Sequence, residues 1–237
     1  MTTDHGGINL IDKKSNYAVT YLLNDAKDSK SLSQTSITAT YKDDNGITWL
    51  GTYKQGVNYL NSNIVLFPHY YHQESKATSL PYDDVNRFVE DKSGNIWIGT
   101  NGGGLIYFDR KNNQFKQYLY DPNNSNSLSS NVIVSLWIDH EEKLWIGTYF
   151  GGLNSFDVKK CTRYKHNDKD FSSLATDNVW EIFEDKDQNL WIGTLGGGLD
   201  VFDRKSNRFQ HYQYKQGVQS KVPLTYISAM LQDKKDN

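Results

Sequence analysis

A tryptophan-led segment with glycines behind it recurs along this chain at an almost fixed period. The copies read "WLGTYKQGVNYL" (49–60), "WIGTNGGGLIYFD" (97–109), "WIGTYFGGLNSFD" (145–157) and "WIGTLGGGLDVFD" (191–203), and a clipped copy, "TDHGGINLID", begins at Thr3. Successive tryptophans stand 48, 48 and 46 residues apart. Regular self-similarity at such a period signals a repeat architecture and outranks any local motif. The glycines after Thr100 would otherwise suggest a phosphate cradle, but such a loop is used once and opens a helix. Here the segment returns in every repeat and runs into "LIYFD" or "LDVFD", which are strand-like.

One unit, 131–167, shows the internal plan. "NVIVSLWID", "LWIGTYF", "LNSFD" and "CTRYKHN" are short β-rich runs separated by "HEEK", "GG" and "VKK". Runs of this length between Gly, Asp and Asn read as antiparallel hairpins. No window holds a helical period. A four-stranded meander repeated about every 47 residues is a β-propeller blade. The expected fold is therefore all-β, with about five blade repeats at 1–34, 35–82, 83–130, 131–176 and 177–224, and 225–237 starting the next. WIGT occurs four times where first and third strands occur five times, so one blade is expected to lack that strand, as in a fragment of a larger propeller. Within a blade, Trp49, Trp97, Trp145 and Trp191 are read as inter-blade core, and the WIGT glycine as room for a neighbouring backbone.

The turns between first and second strands read "DDNG", "DKSG", "DHEE" and "DKDQ". Asp opens such a turn by accepting backbone amides, and the fourth residue takes a left-handed conformation. Glu142 and Gln188 are unfavourable there. "DKDQNL" starts like a calcium loop but lacks its Gly and its closing Glu. Cys161 stands where other repeats carry Phe115 and Phe209, so it reads as core filler. Net charge is −2 and no basic stripe exists, which speaks against a nucleic-acid partner. No apolar run approaches the roughly 20 residues of a membrane span, and the first residues do not resemble a signal peptide. No cofactor and no metal site is expected.

The repeat resembles the two-component regulator propeller family, whose pattern D-x-x-G-x-l-W-I-G-T-x-x-G-G-L-x-x-F-D is matched by "DKSGNIWIGTNGGGLIYFD" from Asp91. The linker "DPNNSNSLSSNVI" resembles the family's joint between blades. The departures are Glu142, Gln188 and the Gln55–Gly56 pair. The resemblance implies a piece of the periplasmic sensor of a hybrid two-component histidine kinase, with an oligosaccharide as ligand of the intact parent. It implies no catalytic role for this segment.

Aligned repeats give an internal contrast: invariant slots build the blade, and variable slots are free for function. The two residues after the WIGT threonine vary: Asp4–His5, Tyr53–Lys54, Asn101–Gly102, Tyr149–Phe150 and Leu195–Gly196. Rings beside polar groups suit a sugar. Ordinary hairpin variation is the competing reading. In the first strands, Asn86, Arg87, Trp180 and Glu181 occupy variable slots, read either as ligand contacts or as a wet channel wall. The candidate ligand residues are thus Asp4, His5, Tyr53, Lys54, Asn86, Arg87, Asn101, Tyr149, Phe150, Trp180 and Glu181. Without the missing strand the segment is expected to bind sugar weakly or not at all, and to self-associate through unpaired edges. Two other functions stay open: a protein-interaction scaffold, and a sialidase-like hydrolase. The latter's Asp-box is out of register with Asp91 and Gly94, and its arginine cluster has no counterpart in sequence.

Overall fold

The structure, a computed structural model, describes residues 2–3, 5–12, 15–26, 28, 31–61, 69–74, 78–157, 160–212 and 226–233. Strands form wherever β-branched and aromatic residues alternate between turn signals, and each repeat folds into its own antiparallel meander. The first sheet holds β1 (Thr2–Thr3), β2 (Gly7–Asp12) and β3 (Ala18–Leu22). The second runs β4 (Ile37–Lys42), β5 (Thr48–Thr52), β6 (Val57–Leu60) and β7 (His69–Tyr70). The third contains β8 (Val85–Glu90), β9 (Ile96–Thr100), β10 (Leu105–Asp109) and β11 (Gln114–Tyr118). The fourth comprises β12 (Ile133–Ile138), β13 (Leu144–Thr148), β14 (Gly152–Asp157) and β15 (Lys160–Tyr164). The fifth comprises β16 (Val179–Glu184), β17 (Leu190–Thr194), β18 (Leu199–Asp203) and β19 (Arg208–Tyr212).

The chain divides into two compact units, Met1–Gln117 and Tyr118–Asn237. The first sheet has three strands, and the two residues of β1 stand in its WIGT slot, pairing with β2. After the fifth sheet, Ile227 does not start a regular strand. Tyr226 makes a single bridge to Leu195, and the Ile227 amide donates to the Thr194 carbonyl at 3.0 Å.

Within each unit the core lies between sheets, because WIGT strands are apolar on both faces. In the first unit, Trp49 packs edge-on to Phe108 of the next sheet with ring centroids 5.9 Å apart. In the second, Trp145 meets Phe202 in the same way at 5.2 Å. The WIGT glycine seats the next first strand. A Cβ at Gly147 would lie 2.7 Å from Val179 Cγ1 and 3.0 Å from Ser135 Cβ, and a Cβ at Gly51 would lie 3.1 Å from Val85 Cγ1. Gly147→Ala is therefore expected to cost about 1–3 kcal/mol by overpacking. Urea unfolding checks this, and an unchanged midpoint would show that the sheets can slide apart to admit a methyl group.

The Asp-led turns serve the same packing. Asp139 Oδ1 accepts the amides of Glu141 and Lys143, and Oδ2 accepts the Trp145 indole N–H at 2.7 Å. Asp43 does the same for Asn45, Ile47 and Trp49. The left-handed slot closing these turns holds Gly46, Gly94, Glu142 and Gln188, with φ of 78°, 79°, 64° and 66°. A guanidinium from the next sheet then caps each pair. Arg204 reaches Asp139 Oδ2 at 2.6 Å and Glu184 Oε1 at 2.5 Å, over the Trp145 ring. Arg110 reaches Asp43 Oδ2 at 2.8 Å and Glu90 Oε1 at 3.0 Å, over the Trp49 ring. Asp43 and Asp139 thus hold sheets together, while Asp185, which leads the "DKDQNL" turn, accepts the Asn189 amide at 2.8 Å and the Trp191 indole N–H at 2.7 Å. Cys161 is buried, its thiol pushed up to about 11 by desolvation.

Candidate functional site

Two kinds of connection meet on one face of each unit: the turns after WIGT and the linkers between sheets. The residue after the WIGT threonine donates its amide to the linker before that repeat's first strand, Tyr53 to Ser36, Asn101 to Asp84, Tyr149 to Val132 and Leu195 to Asn178. The glycine closing the turn donates to the following linker, Gly56 to Asp83 and Gly152 to Asp177. A buried side chain in the third strand pins the linker from below. Asn154 Oδ1 accepts the Ser129 amide at 3.0 Å and its Nδ2 donates to Ser129 Oγ at 2.7 Å. Asn58 repeats both bonds with Ser33. In the last sheet the linker residue is Ala175, which has no hydroxyl. There the slot holds Asp200, which accepts the Ala175 amide and pairs with His211 Nδ1 at 2.7 Å. Burial raises the Asp200 carboxyl above its ordinary value. The variable turns are thus mounted on a rigid frame.

The second residue of each turn has a positive φ: 60° at His5, 62° at Lys54, 117° at Gly102, 60° at Phe150 and 97° at Gly196. Glycine fits there at no cost, whereas a bulky side chain stores strain. Phe150 also leaves its ring two-thirds exposed, at 66%. A strained, exposed aromatic at a slot where glycine suffices points to work done by that ring. Its centroid lies 4.1 Å from that of Tyr149, and Tyr149 stands edge-on to Trp180 at 6.4 Å. Trp180 gets there because the first strand is bulged at this slot, the register shifting between Val179 and Glu181. The same shift falls at Thr38, Asn86 and Val134. A bulge re-aims the side chain it carries. Tyr149, Phe150 and Trp180 together form an open aromatic platform in the second unit.

The other candidates are dispersed. In the first unit, Tyr53 and Lys54 stand together, with the ammonium 4.7 Å above the ring. The Asn101 side-chain amide donates to Asp84 Oδ2 at 3.1 Å. His5 is exposed and donates its amide to Ser36 Oγ, and Asp4 lies outside the described residues. Asn86 and Arg87 are half-buried on β8, with Arg87 donating to the Asn86 carbonyl. Glu181, on β16, pairs in register with Gly193. The sequence reading missed Tyr82 and Asp84, which line a cleft with Lys54, His72, Pro81 and Asp83. Variation at their slots, Tyr82 against Ser130 and Thr176, and Asp84 against Val132 and Asn178, was the available signal. Among the described residues no group of three or more His, Cys, Asp or Glu side chains could hold a metal ion. Among them too, no helix is long and apolar enough to cross a membrane.

The family model described as two component regulator propeller matches residues 31–54, 79–102 and 173–196. Three segments of the chain are thus similar to two-component regulator propeller repeats. Each match runs from a linker through the Asp turn and the WIGT strand into the variable turn; of the platform residues, Trp180 lies within a match. No curated protein matches the chain. Among solved structures, the extracellular domain of the hybrid two component system BT3049 from B. thetaiotaomicron aligns over 99% of this chain and 29% of its own, with 21% identity and a TM-score of 0.78. That of BT4673 from the same organism aligns over 83% of this chain and 25% of its own, at 24% identity and a TM-score of 0.66. Virginiamycin B lyase from Staphylococcus aureus shares 15% identity over 90% of this chain and 64% of its own, with a TM-score of 0.62. These likenesses show the fold: an all-β propeller of four-stranded antiparallel blades. The chain spans under a third of the length of the two receptor domains.

Proposed function

We propose that this chain is an extracytoplasmic, ligand-sensing propeller segment of a hybrid two-component receptor, and that its ligand is an oligosaccharide. The observation that carries the reading is the platform of Tyr149, Phe150 and Trp180. Exposed rings held by strained backbone on a rigid frame suit the apolar face of a pyranose, while nearby backbone and linker groups meet its hydroxyls. The regulator-propeller repeats and the receptor ectodomains of similar fold support the setting. A binding role is also supported by how the arginines are used. Arg110 and Arg204 hold sheets together, and Arg163 is spent on the linker carbonyls of Asn124, Ser127 and Leu128. A sialidase-like enzyme would need such groups clustered toward a substrate carboxylate.

The test is saturation-transfer NMR, which reads weak, fast-exchanging complexes, with xylo-, manno- and galacto-hexasaccharides as probes. At least one should receive transfer from the chain. Tyr149→Ala with Phe150→Ala should weaken it about tenfold, the scale of about 1.4 kcal/mol for lost ring contacts. Unaltered transfer in the double variant would overturn the platform. No transfer from the parent chain to any probe would overturn the oligosaccharide.

A further inference from the structure

The first unit holds a cleft of about 390 Å³ lined by Lys54, His72, Pro81, Tyr82, Asp83 and Asp84. The repeats themselves sort these residues. His72 donates its amide to Asp83 Oδ1 at 2.6 Å, and its Nδ1 meets the Leu80 carbonyl at 3.1 Å. His166, Asp177 and Leu174 make the same three-way arrangement in the second unit, at 2.8 and 2.7 Å. His72 and Asp83 are therefore part of the frame. Lys54, Tyr82 and Asp84 have no such counterparts: their slots hold Phe150, Ser130 and Val132 in one repeat, and Gly196, Thr176 and Asn178 in another.

Tyr82 and Asp84 are held in place before any ligand arrives, and the exposed Lys54 rests its ammonium 4.7 Å above the Tyr53 ring. The Tyr82 ring lies against the Gly102–Gly103 turn so closely that a Cβ at Gly103 would fall 2.2 Å from its Cγ. Those two glycines clear room for the ring, which forms one wall of the cleft. Asp84 is 8% exposed, and its Oδ2 accepts the Asn101 amide. Lys54 supplies three N–H donors on a backbone held at a φ of 62°.

We propose that this cleft is a second saccharide subsite, taking one non-acidic sugar residue of an oligosaccharide. It rests on the oligosaccharide reading above and deepens it. Tyr82 provides the stacking wall, Asp84 accepts two adjacent hydroxyls, and Lys54 donates to a hydroxyl or ring oxygen. The charges select against an acid, because the two carboxylates of Asp83 and Asp84 outnumber the exposed Lys54 ammonium and repel a uronate.

The repeats also supply the variants. Tyr82→Ser, Asp84→Asn and Lys54→Gly each install the residue found in the same slot of another repeat, so the frame is expected to tolerate them. Saturation-transfer NMR is run with the neutral hexasaccharides and a galacturonate hexamer. The neutral probes should receive transfer, and the triple variant should lose at least half of it while its unfolding midpoint is kept. Retained transfer in the triple variant, with loss in the Tyr149→Ala and Phe150→Ala variant, would overturn the cleft and leave the oligosaccharide reading standing. Transfer to the galacturonate hexamer at the level of the neutral ones would overturn the selectivity. No transfer from the parent chain to any probe would overturn both readings.

Discussion

Replacing Trp145 by alanine is expected to remove about 3–5 kcal/mol of stability, the largest effect of any single substitution considered. The ring is fully buried and sits among Leu153, Leu174, Val179, Ile182, Leu190, Ile192, Phe202 and Phe209. Tyr164 and Phe202 flank it with centroids at 5.9 and 5.2 Å. Truncation opens a cavity that the pinned strands on either side resist closing. It also takes the indole N–H from Asp139 Oδ2. Urea unfolding measures the loss. The Trp97→Ala variant provides the matching experiment in the first unit, where the ring is buried against Tyr107 at 4.5 Å. Midpoints unchanged in both variants would mean that the tryptophans are not the filling between sheets. Ligand selectivity, by contrast, should be untouched in whatever fraction stays folded, because neither ring lies among the variable turns.

Arg204→Met is expected to cost about 2–4 kcal/mol at neutral pH. Breaking a buried pair leaves the other charge uncompensated, and the figure is reduced because Arg204 remains 22% exposed. The variant takes the guanidinium from two carboxylates, Asp139 and Glu184, whose side chains are 0% and 9% exposed; Asp139 keeps the Trp145 indole and two backbone amides, and Glu184 keeps the His140 ring and amide. The pH dependence separates charge from packing. Burial by itself would raise the Asp139 carboxyl. The Trp145 indole, the Arg204 guanidinium and the Lys143 amide outweigh burial and hold it below its ordinary value. A depressed carboxyl adds stability that is fully present above its unfolded value of about 3.9 and is lost as pH falls through the folded one. The parent chain should therefore lose this contribution on acidification, and the gap between parent and variant should narrow below about pH 4. A gap of equal size at pH 7 and pH 3 would show that Arg204 acts through packing of its stem alone. Arg110→Met should likewise cost stability at neutral pH in the first unit, where the guanidinium pairs with Asp43 and Glu90.

How much of this was legible beforehand varies with the range of the interactions. The strands of each sheet were readable because hairpin pairing is local: a run such as "LWIGT" and its partner "LNSFD" are separated by a turn whose residues announce it. The Asp-led turns were readable for the same reason, down to Glu142 and Gln188 occupying a left-handed position better suited to glycine. The repeated arginine after "FD" could be recognised as structural from its slot alone, although its partners could not. Asp139 lies 65 residues before Arg204, and nothing in either local segment names the other.

The candidate site divides along the same line. Comparison of repeats drew attention to Tyr53, Lys54, Tyr149, Phe150 and Trp180, because variation between copies of one blade is visible in the chain. It did not bring forward Tyr82 or Asp84, which matter only once a linker lies across the Gly102–Gly103 turn of its own repeat. Nor did it foresee that a bulge would turn Trp180 toward Tyr149, since a bulge is defined by register with a partner strand. By itself the sequence determined the blade, its strands and its turns, because these follow from hydrogen bonds and side-chain alternation among near neighbours. The tertiary structure alone decided which carboxylate meets which guanidinium, where the rings gather and where a cleft opens, because those depend on how closely one sheet can approach the next, and that distance is set by the glycines and tryptophans packed between them.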